Sequence, residues 1–330
     1  MMNVFVTGAT GFLGSELVHQ LLNAGYHVRI YRRETSRLDL LRSVVNEIEH
    51  SVGDITDLEA LRQAMKNIQV VFHVAANVQS GSRSLTKVNV HGTTAVVDAA
   101  HESGVERLVH TSSVAPIGQT PDGISDEATQ WPNDAPMWPY AKSKHLAELE
   151  VQRSIAEGLD AVMVNPSLIL GPDTSNGKVF HVSHEFIQKI QSGKIWLYPK
   201  GGTNVVDVSD VAAGHLAALE RGKTGQRYIL GSENLSWKDI LTILAAAYGV
   251  NPPKLLLPYR MALIGGCLTD LWTSMTGQEL SFGRSTVKYV FTTRAYSNLR
   301  AINELGCTFR PFTETAKRMA DFSQIDHEDD

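Results

Sequence analysis

The 330-residue chain has only two cysteines, Cys267 and Cys307. They are too few for a disulfide framework, and no Cys-x-x-Cys spacing exists to hold a metal. Twelve histidines are scattered without a His-Glu-x-x-His or similar cluster, so no metal site is expected. His73 and His110 fall inside apolar, strand-like runs and read as core histidines. No apolar stretch is long enough to span a membrane. The run 255–257 meets Pro258, and the run 261–268 is bounded by Arg260 and Asp270. Excess charge is absent too: a net −5 gives no electrostatic footprint for nucleic acid. There is no G-x-S-x-G elbow for a serine hydrolase and no G-x-x-x-x-G-K-[ST] loop for phosphoryl transfer. Internal repeats and low-complexity segments are missing as well. The first strand begins at Asn3, leaving no room for a signal peptide, and a cytoplasmic protein is expected.

Hydrophobic residues make up 43% of the chain, enough to build a full core and to exclude a disordered protein. Residues 4–14 read VFVTGATGFLG. A β-branched run ends in Thr7, glycines follow at 8, 11 and 14, and helical spacing resumes at Ser15. Strand, glycine turn and helix start together make a phosphate seat, because the first helical turn points N–H groups and a positive dipole end at whatever lies there. Short β-rich runs at 3–7, 27–31, 47–52, 70–74, 107–111 and 161–165 alternate with helical patterns at 11–24, 58–65, 90–103 and 140–157. Such alternation implies an α/β fold with a parallel sheet, helices on both faces, and ligands beyond the carboxyl ends of the strands. After Pro172 the rhythm breaks. A helix is expected near 179–191, a short strand at 205–210 feeding a helix to Glu220, and a strand at 227–230. Ser236 starts a capping box for a helix to Tyr248. The C-terminal remainder reads as mostly helical.

Two further patterns carry chemistry. Pro139 opens a helix that places Tyr140 and Lys144 four residues apart on one face. An ammonium beside a phenol favours the phenolate and lowers its pKa. The run Thr111-Ser112-Ser113 closes a strand whose end should face the same crevice.

In this order the motifs TGATGFLG (7–14), VHTSSVAPIG (109–118) and YAKSK (140–144) resemble the extended short-chain dehydrogenase/reductase family. Gly53-Asp54, His73 to Ala76, Asn89 to Thr93 and Asn165 to Ser167 also match family positions. Within the family the chain is most similar to dihydroflavonol-reductase-like and 3β-hydroxysteroid-dehydrogenase-like members. The resemblance implies a Rossmann-type, doubly wound parallel sheet over 1–172 and about 204–231. A smaller, mostly helical substrate cap would comprise 173–203 and 232–330. It also implies a nicotinamide-dependent hydride transfer between a carbonyl and an alcohol. Tyr140 would be the acid-base, Lys144 would bind the nicotinamide ribose and tune Tyr140, and Ser113, with Ser112 as fallback, would polarise the carbonyl. Gly8, Thr10, Gly11, Phe12, Leu13 and Gly14 would seat the pyrophosphate. Asp54 and Ile55 would flank the adenine, Ala75 and Ala76 the ribose and pyrophosphate, and Pro166 and Ser167 the nicotinamide. Asn89 reads as a tie between helix and sheet.

At the end of the second strand, where an NAD site carries an acid, Arg32 and Arg33 stand instead, and guanidinium suits a 2′-phosphate. NADP(H) is therefore expected over NAD(H). Arg29 alternates to another face. The Asp-Glu pair that sugar dehydratases of the family carry after the catalytic hydroxyl is replaced by Val114 and Ala115, which cannot move protons. A nucleotide-sugar epimerase is the second reading; an NADP-binding regulatory or assembly protein without turnover is the third. The apolar runs 196–199 and 255–272 read as core or as the wall of an apolar pocket, and 125–132 lies near enough to touch substrate. The resemblance also suggests a homodimer through the helices at 90–103 and 140–157.

Overall fold

A computed structural model describes residues 2–78, 82–120, 123–131, 138–172, 184–276 and 283–325. The N-terminal half alternates strand and helix: β1 (Asn3–Thr7), α1 (Phe12–Asn23), β2 (His27–Arg32), β3 (Glu49–Val52), α2 (Leu58–Ala64) and β4 (Val70–His73). Next come α3 (Ser82–Leu85), a wider π turn at Thr86–His91, α4 (Gly92–Glu102) and β5 (Arg107–Thr111). A two-residue strand β6 (Ile124–Ser125) precedes α5 (Pro139–Ala156), β7 (Ala161–Pro166) and β8 (Leu168–Leu170). The chain continues through α6 (His184–Gln191), β9 (Leu197–Pro199), β10 (Gly202–Asp207), α7 (Val208–Arg221), β11 (Arg227–Leu230) and β12 (Glu233–Ser236). It ends with α8 (Trp237–Ala247), β13 (Leu255–Leu257), α9 (Tyr259–Thr276), α10 (Arg284–Val290), β14 (Ala295–Tyr296), α11 (Leu299–Leu305) and α12 (Phe312–Ile325).

Seven strands form one parallel sheet in the order β11-β7-β5-β4-β1-β2-β3. Strand alternation decides which layer each residue feeds. Val4 and Val6 of β1, with Val70 and Phe72 of β4, join Leu17 and Leu21 of α1 and Val211 of α7 on one face. Phe5 and Val71, between them, join Leu61 of α2, Val96 of α4 and Val151 of α5 on the other. Each such side chain contributes about 1.5–3 kcal/mol on burial, so both helical layers are held by the period-2 pattern of the strands. The chain leaves β1 toward β2 and β3, then crosses back to β4 and onward to β11. Strand order therefore reverses between β1 and β4, and Thr7 and His73 end level there. This is where a crevice opens in a doubly wound sheet.

The strand at 202–207 does not join that sheet; it centres a three-stranded one, β12-β10-β8. Leu170, Val205, Ile240, Leu244 and Phe312 build a separate apolar cluster beside it. Ser236 caps α8 as its sequence spacing predicts, accepting from the Asp239 N–H. The helix expected near 179–191 is described from His184 to Gln191, and 179–183 lies outside the described residues.

Three histidines sit in the sheet layers with almost no exposure: His73, His110 and His215. Burial holds His73 down to about 3, with the Lys144 charge assisting, and His215 to about 4; His110 lies well below its ordinary value for the same reason. His73 is satisfied on both nitrogens, whereas neither His110 nitrogen has a hydrogen-bond partner among the described residues. The folded state therefore refuses protons that the unfolded chain accepts near pH 6.5. By linkage, stability is full above that pH and falls as the medium is acidified toward 4. Each group costs about 1.4 kcal/mol per pH unit below 6.5, so His73 and His215 together remove about 4 kcal/mol by pH ~5, and His110 shifts stability in the same direction. Urea midpoints measured at neutral and mildly acidic pH should show this loss; an unchanged midpoint would contradict it.

Candidate active site

The turn after β1 is shaped by two glycines that the chain itself requires. Gly8 has φ +73°, and a Cβ there would lie 2.6 Å from the Ala75 nitrogen. A Cβ on Gly14 would lie 2.1 Å from the Gly8 oxygen. Gly11 is different. Its φ is −90°, and its Cβ would meet only the Gly8 oxygen, at an ordinary 3.4 Å. Nothing among the described residues forbids a side chain at Gly11, so the bare ledge suits a ligand lying against it. Gly11 is the N-cap of α1, offers no side-chain cap, and the first turn carries no acid. An anionic diphosphate fits this end of the helix dipole. Thr10 and Phe12 are partly buried beside the ledge, while Leu13 turns its side chain into the core.

At the end of β2, Arg32 is engaged: its Nε donates to His50 Nδ1 at 3.3 Å and its Nη1 to the Arg33 carbonyl at 3.2 Å. Arg29 faces elsewhere, donating to Glu49 at 2.7 Å and to the Ala64 and Lys66 carbonyls. The exposed Arg33 guanidinium makes no hydrogen bond or ion pair among the described residues. Asp54 accepts from the Thr56 hydroxyl and N–H at 2.6 and 2.9 Å, bonds that hold its carboxyl below the usual range. Ile55 packs over Gly92, where a Cβ would come within 3.0 Å of it.

A buried polar relay links this cradle to the helix bearing Tyr140. The Ala75 N–H donates to Thr7 Oγ1 (3.2 Å), and Thr7 Oγ1 lies 2.8 Å from His73 Nδ1. His73 Nε2 lies 2.9 Å from Thr93 Oγ1, whose hydroxyl donates to the Asn89 carbonyl at 2.7 Å. Because the Thr93 proton is spent on that carbonyl, His73 donates through Nε2 and accepts at Nδ1. Asn89, on the π turn, accepts from Asn77 N–H (2.7 Å) and donates to the Asn77 carbonyl (2.9 Å) and Ser143 Oγ (2.9 Å). Ser143 in turn donates to the Tyr140 carbonyl at 2.8 Å. Asn89 is thus the tie expected from the sequence. Ala75 and Ala76 line the half-buried stretch that leads from the relay.

The structure brings Ser113, Tyr140 and Lys144 together at the carboxyl end of β5. Ser113 Oγ accepts from the Ala115 N–H at 3.1 Å, keeps its own proton, and hydrogen-bonds the Tyr140 hydroxyl. Ser112 is not available for that role: its hydroxyl donates to Glu148 at 2.6 Å, and its side chain is buried. The expected lowering of the Tyr140 pKa by Lys144 is not found in this structure. Burial pushes the phenol up to about 12 against the opposing Ser113 hydrogen bond, and the lysine donates instead to the Thr111 carbonyl at 2.9 Å. Lys144 is itself depressed to about 8 by burial, which the Glu148 carboxylate partly offsets.

Glu148 is the residue sequence reasoning missed. It continues the Tyr140–Lys144 stripe by another four residues, so the signal was present as spacing. Buried at 2% exposure, it gathers Ser112, Asn165 Nδ2 (2.7 Å) and Arg227 Nη1 (3.2 Å). Asn165 also donates to the Ser113 carbonyl at 2.6 Å, fixing the strand end that carries the hydroxyl. Arg227 comes from a distant strand, and no local pattern could have announced it.

Beyond Tyr140 lies an aromatic wall. The Trp138 ring is 5.0 Å from Tyr140 and 4.5 Å from Tyr289, and the Arg294 guanidinium stands 4.4 Å over the Tyr289 ring. Tyr296 packs with Val114, next to Ser113. Pro166 ends β7, and the buried Ser167 hydroxyl has no hydrogen-bond partner among the described residues, a free donor-acceptor at the expected amide position. In the 125–132 segment, Glu127 is a buried tie that accepts from the Ile229 N–H at 2.8 Å, and Trp131 stacks on His145 at 4.7 Å. Pro132 lies outside the described residues. The apolar runs at 196–199 and 255–272 are core only in part: Tyr198 packs on the Leu170–Phe312 cluster and Ala262 is buried, Leu256, Leu257 and Tyr259 line an open cleft, and Trp196, Leu197, Leu255 and most large residues of α9 are exposed. Among the described residues no helix is long and apolar enough to cross a membrane, and no His/Cys/Asp/Glu group could hold a metal.

Comparison with known proteins places the chain in a family. Residues 4–231 match the model of the NAD dependent epimerase/dehydratase family. The chain is 38% identical over 314 residues to a Synechocystis protein named "Putative dihydroflavonol 4-reductase", covering 92% of this chain and 89% of that one. It is 33% identical to cinnamoyl-CoA reductase 1 of Oryza sativa subsp. japonica, over 73% of this chain and 74% of the relative. The crystal structure of gox2253 superposes with a TM-score of 0.86 at 33% identity, covering 99% of each chain. With the glycine ledge at the switch point and reductases at this identity and coverage, the chain belongs to the NAD dependent epimerase/dehydratase family and is an extended short-chain dehydrogenase/reductase, a Rossmann-type oxidoreductase.

Proposed function

We propose that this enzyme interconverts a carbonyl compound and its alcohol with NADP(H), using Ser113, Tyr140 and Lys144. The carrying observation is that the Ser113 and Tyr140 hydroxyls hydrogen-bond each other just past β5, where the buried Lys144 holds the Thr111 carbonyl, while the neighbouring end of β1 leads to the bare ledge at Gly11. Gly8, Thr10, Gly11, Phe12, Leu13 and Gly14 would hold the pyrophosphate. Asp54 and Ile55 would hold the adenine, Ala75 and Ala76 the sugar and pyrophosphate, and Pro166 and Ser167 the nicotinamide amide. Bound there, the nicotinamide supplies or takes the hydride. The remaining chemistry belongs to the chain. Ser113 donates its proton to the substrate oxygen and orients it. Tyr140, held neutral by burial, donates to the same oxygen and delivers its proton as negative charge develops there. Lys144 spends one of its three N–H donors on Thr111 and has others for the ribose.

Division of the chain at 1–172 with about 204–231, and 173–203 with 232–330 as the substrate cap, belongs to the same proposal. So does a homodimer through helices α4 and α5. Val114 and Ala115 in place of an acidic pair support reduction over dehydration. An assay following loss of reduced cofactor with ketones, aldehydes and nucleotide sugars tests the reading: net oxidation by a carbonyl supports it, and epimerisation without net oxidation overturns it.

The NADP(H) preference rests on Arg33. Arg33→Ala should weaken NADPH binding about 10- to 100-fold, the size of a lost charged hydrogen bond, and change NADH affinity little. Fluorescence titration of both cofactors checks this; equal losses would remove the 2′-phosphate assignment.

A further inference from the structure

Helix α9 exposes large apolar side chains that a water-facing surface does not need. Met261, Ile264, Leu268, Leu271 and Met275 recur at three- and four-residue intervals, so they share one face of the helix. Met261 and Leu268 are each 63% exposed and Met275 77% exposed, so the face has no partner among the described residues. Trp272, on the same helix, is exposed as well. Just before the β9–β13 ribbon stands Trp196, 73% exposed, whose carbonyl accepts from the N–H of the exposed Leu255. An apolar surface of this extent marks an interaction site.

The charge around this face identifies the occupant. The whole chain carries a net −5. Yet 194–200 and 250–292 together hold six lysines and arginines against two carboxylates, Asp270 and Glu279. Asp270 is spent on Arg284 at 2.8 Å. Lys194, Lys200, Lys254, Arg260 and Lys288 are all exposed. Lys200 and Lys288 line one cleft with Leu256 and Tyr259, so the cations border the apolar surface directly. A second copy of the chain would set this cationic rim against itself across a two-fold axis, which is repulsive. An anionic lipid surface meets both features at once: apolar side chains enter the acyl boundary while the surrounding cations meet the headgroups.

We propose that the α9 face, with the β9–β13 ribbon, docks this protein on anionic lipid bilayers as a peripheral, non-spanning contact. Its position gives the contact a use. α10 packs on α9 and also carries Tyr289 of the aromatic wall beside Tyr140, so the lipid-facing layer adjoins the site. A carbonyl substrate dissolved in the bilayer would have a short path to it.

The test is flotation of the full-length protein with vesicles of phosphatidylcholine alone or with about 30% phosphatidylglycerol, at ~0.1 M and ~1 M salt. The protein should float with the anionic vesicles at low salt, at least about tenfold more than with neutral ones, and be released at high salt. Leu268→Glu with Met275→Glu should abolish flotation, and Lys254→Glu with Lys288→Glu should reduce it at least about tenfold. The control Leu299→Glu, at an exposed leucine on α11, should float as the wild type does. Thermal melting and cofactor titration of each variant show that folding is intact, so a lost interaction is read as lost docking. Flotation independent of lipid charge, absence of flotation, or a dimer in sedimentation that Leu268→Glu dissociates would overturn the proposal. None of these readouts depends on the substrate or on turnover.

Discussion

Tyr140→Phe should lower turnover about a thousandfold, within the range of about 10²–10⁴ for loss of a general acid, while cofactor affinity changes by less than about threefold. The substitution removes one oxygen and keeps the ring. Packing against Trp138 therefore persists, and the backbone tie from Ser143 to the Tyr140 carbonyl is untouched. What is lost is the proton at the substrate oxygen and the hydroxyl partner of Ser113. The variant should melt near the wild-type temperature, since the phenol makes no other buried hydrogen bond among the described residues. Single-turnover rates with a carbonyl substrate, measured beside fluorescence titration of the cofactor, separate the chemical loss from a binding loss. Turnover within tenfold of the wild type would show that another group supplies the proton.

The second large effect is a contrast between neighbouring glycines. Gly14→Ala should cost more than about 4 kcal/mol of stability, because its methyl would lie 2.1 Å from the Gly8 carbonyl and neither backbone can give way. Gly11→Ala should cost less than about 1 kcal/mol, the difference between glycine and alanine at an N-cap. Yet it should weaken NADPH about 10- to 100-fold, because the methyl occupies the ledge. Urea unfolding and cofactor titration on the same preparations check both halves. If the Gly11→Ala protein binds NADPH like the wild type, the ledge is not the pyrophosphate seat.

The sequence was informative where structure is local and repeated. β1 and β5 lie at their expected residues, and β2, β4 and β7 differ by one, because buried parallel strands show as continuous β-branched runs between turn residues. The Tyr140–Lys144 stripe followed from helical spacing, and its extension to Glu148 could have been read by the same rule. Contacts that close across the fold were illegible. Arg227 reaches Glu148 from another strand, and Glu127 satisfies the Ile229 N–H from a loop 102 residues away. The Tyr140 pKa was misjudged because spacing predicts that two groups are close but says nothing about how dry their surroundings are. The runs around α9 stayed open between core and pocket wall for a related reason: hydrophobic composition distinguishes apolar from polar, but not a face turned inward from one turned outward.

The π turn at Thr86–His91 sets a limit on chain length. It holds Asn89 turned toward Asn77 and Ser143 within a stretch wound more loosely than an α-helix. Removing one residue there would let the stretch rewind, and everything on its N-terminal side would swing by about 100° relative to α4. Loops elsewhere on the surface can absorb insertions and deletions, but this turn has to keep its residue count for Tyr140 to stay anchored.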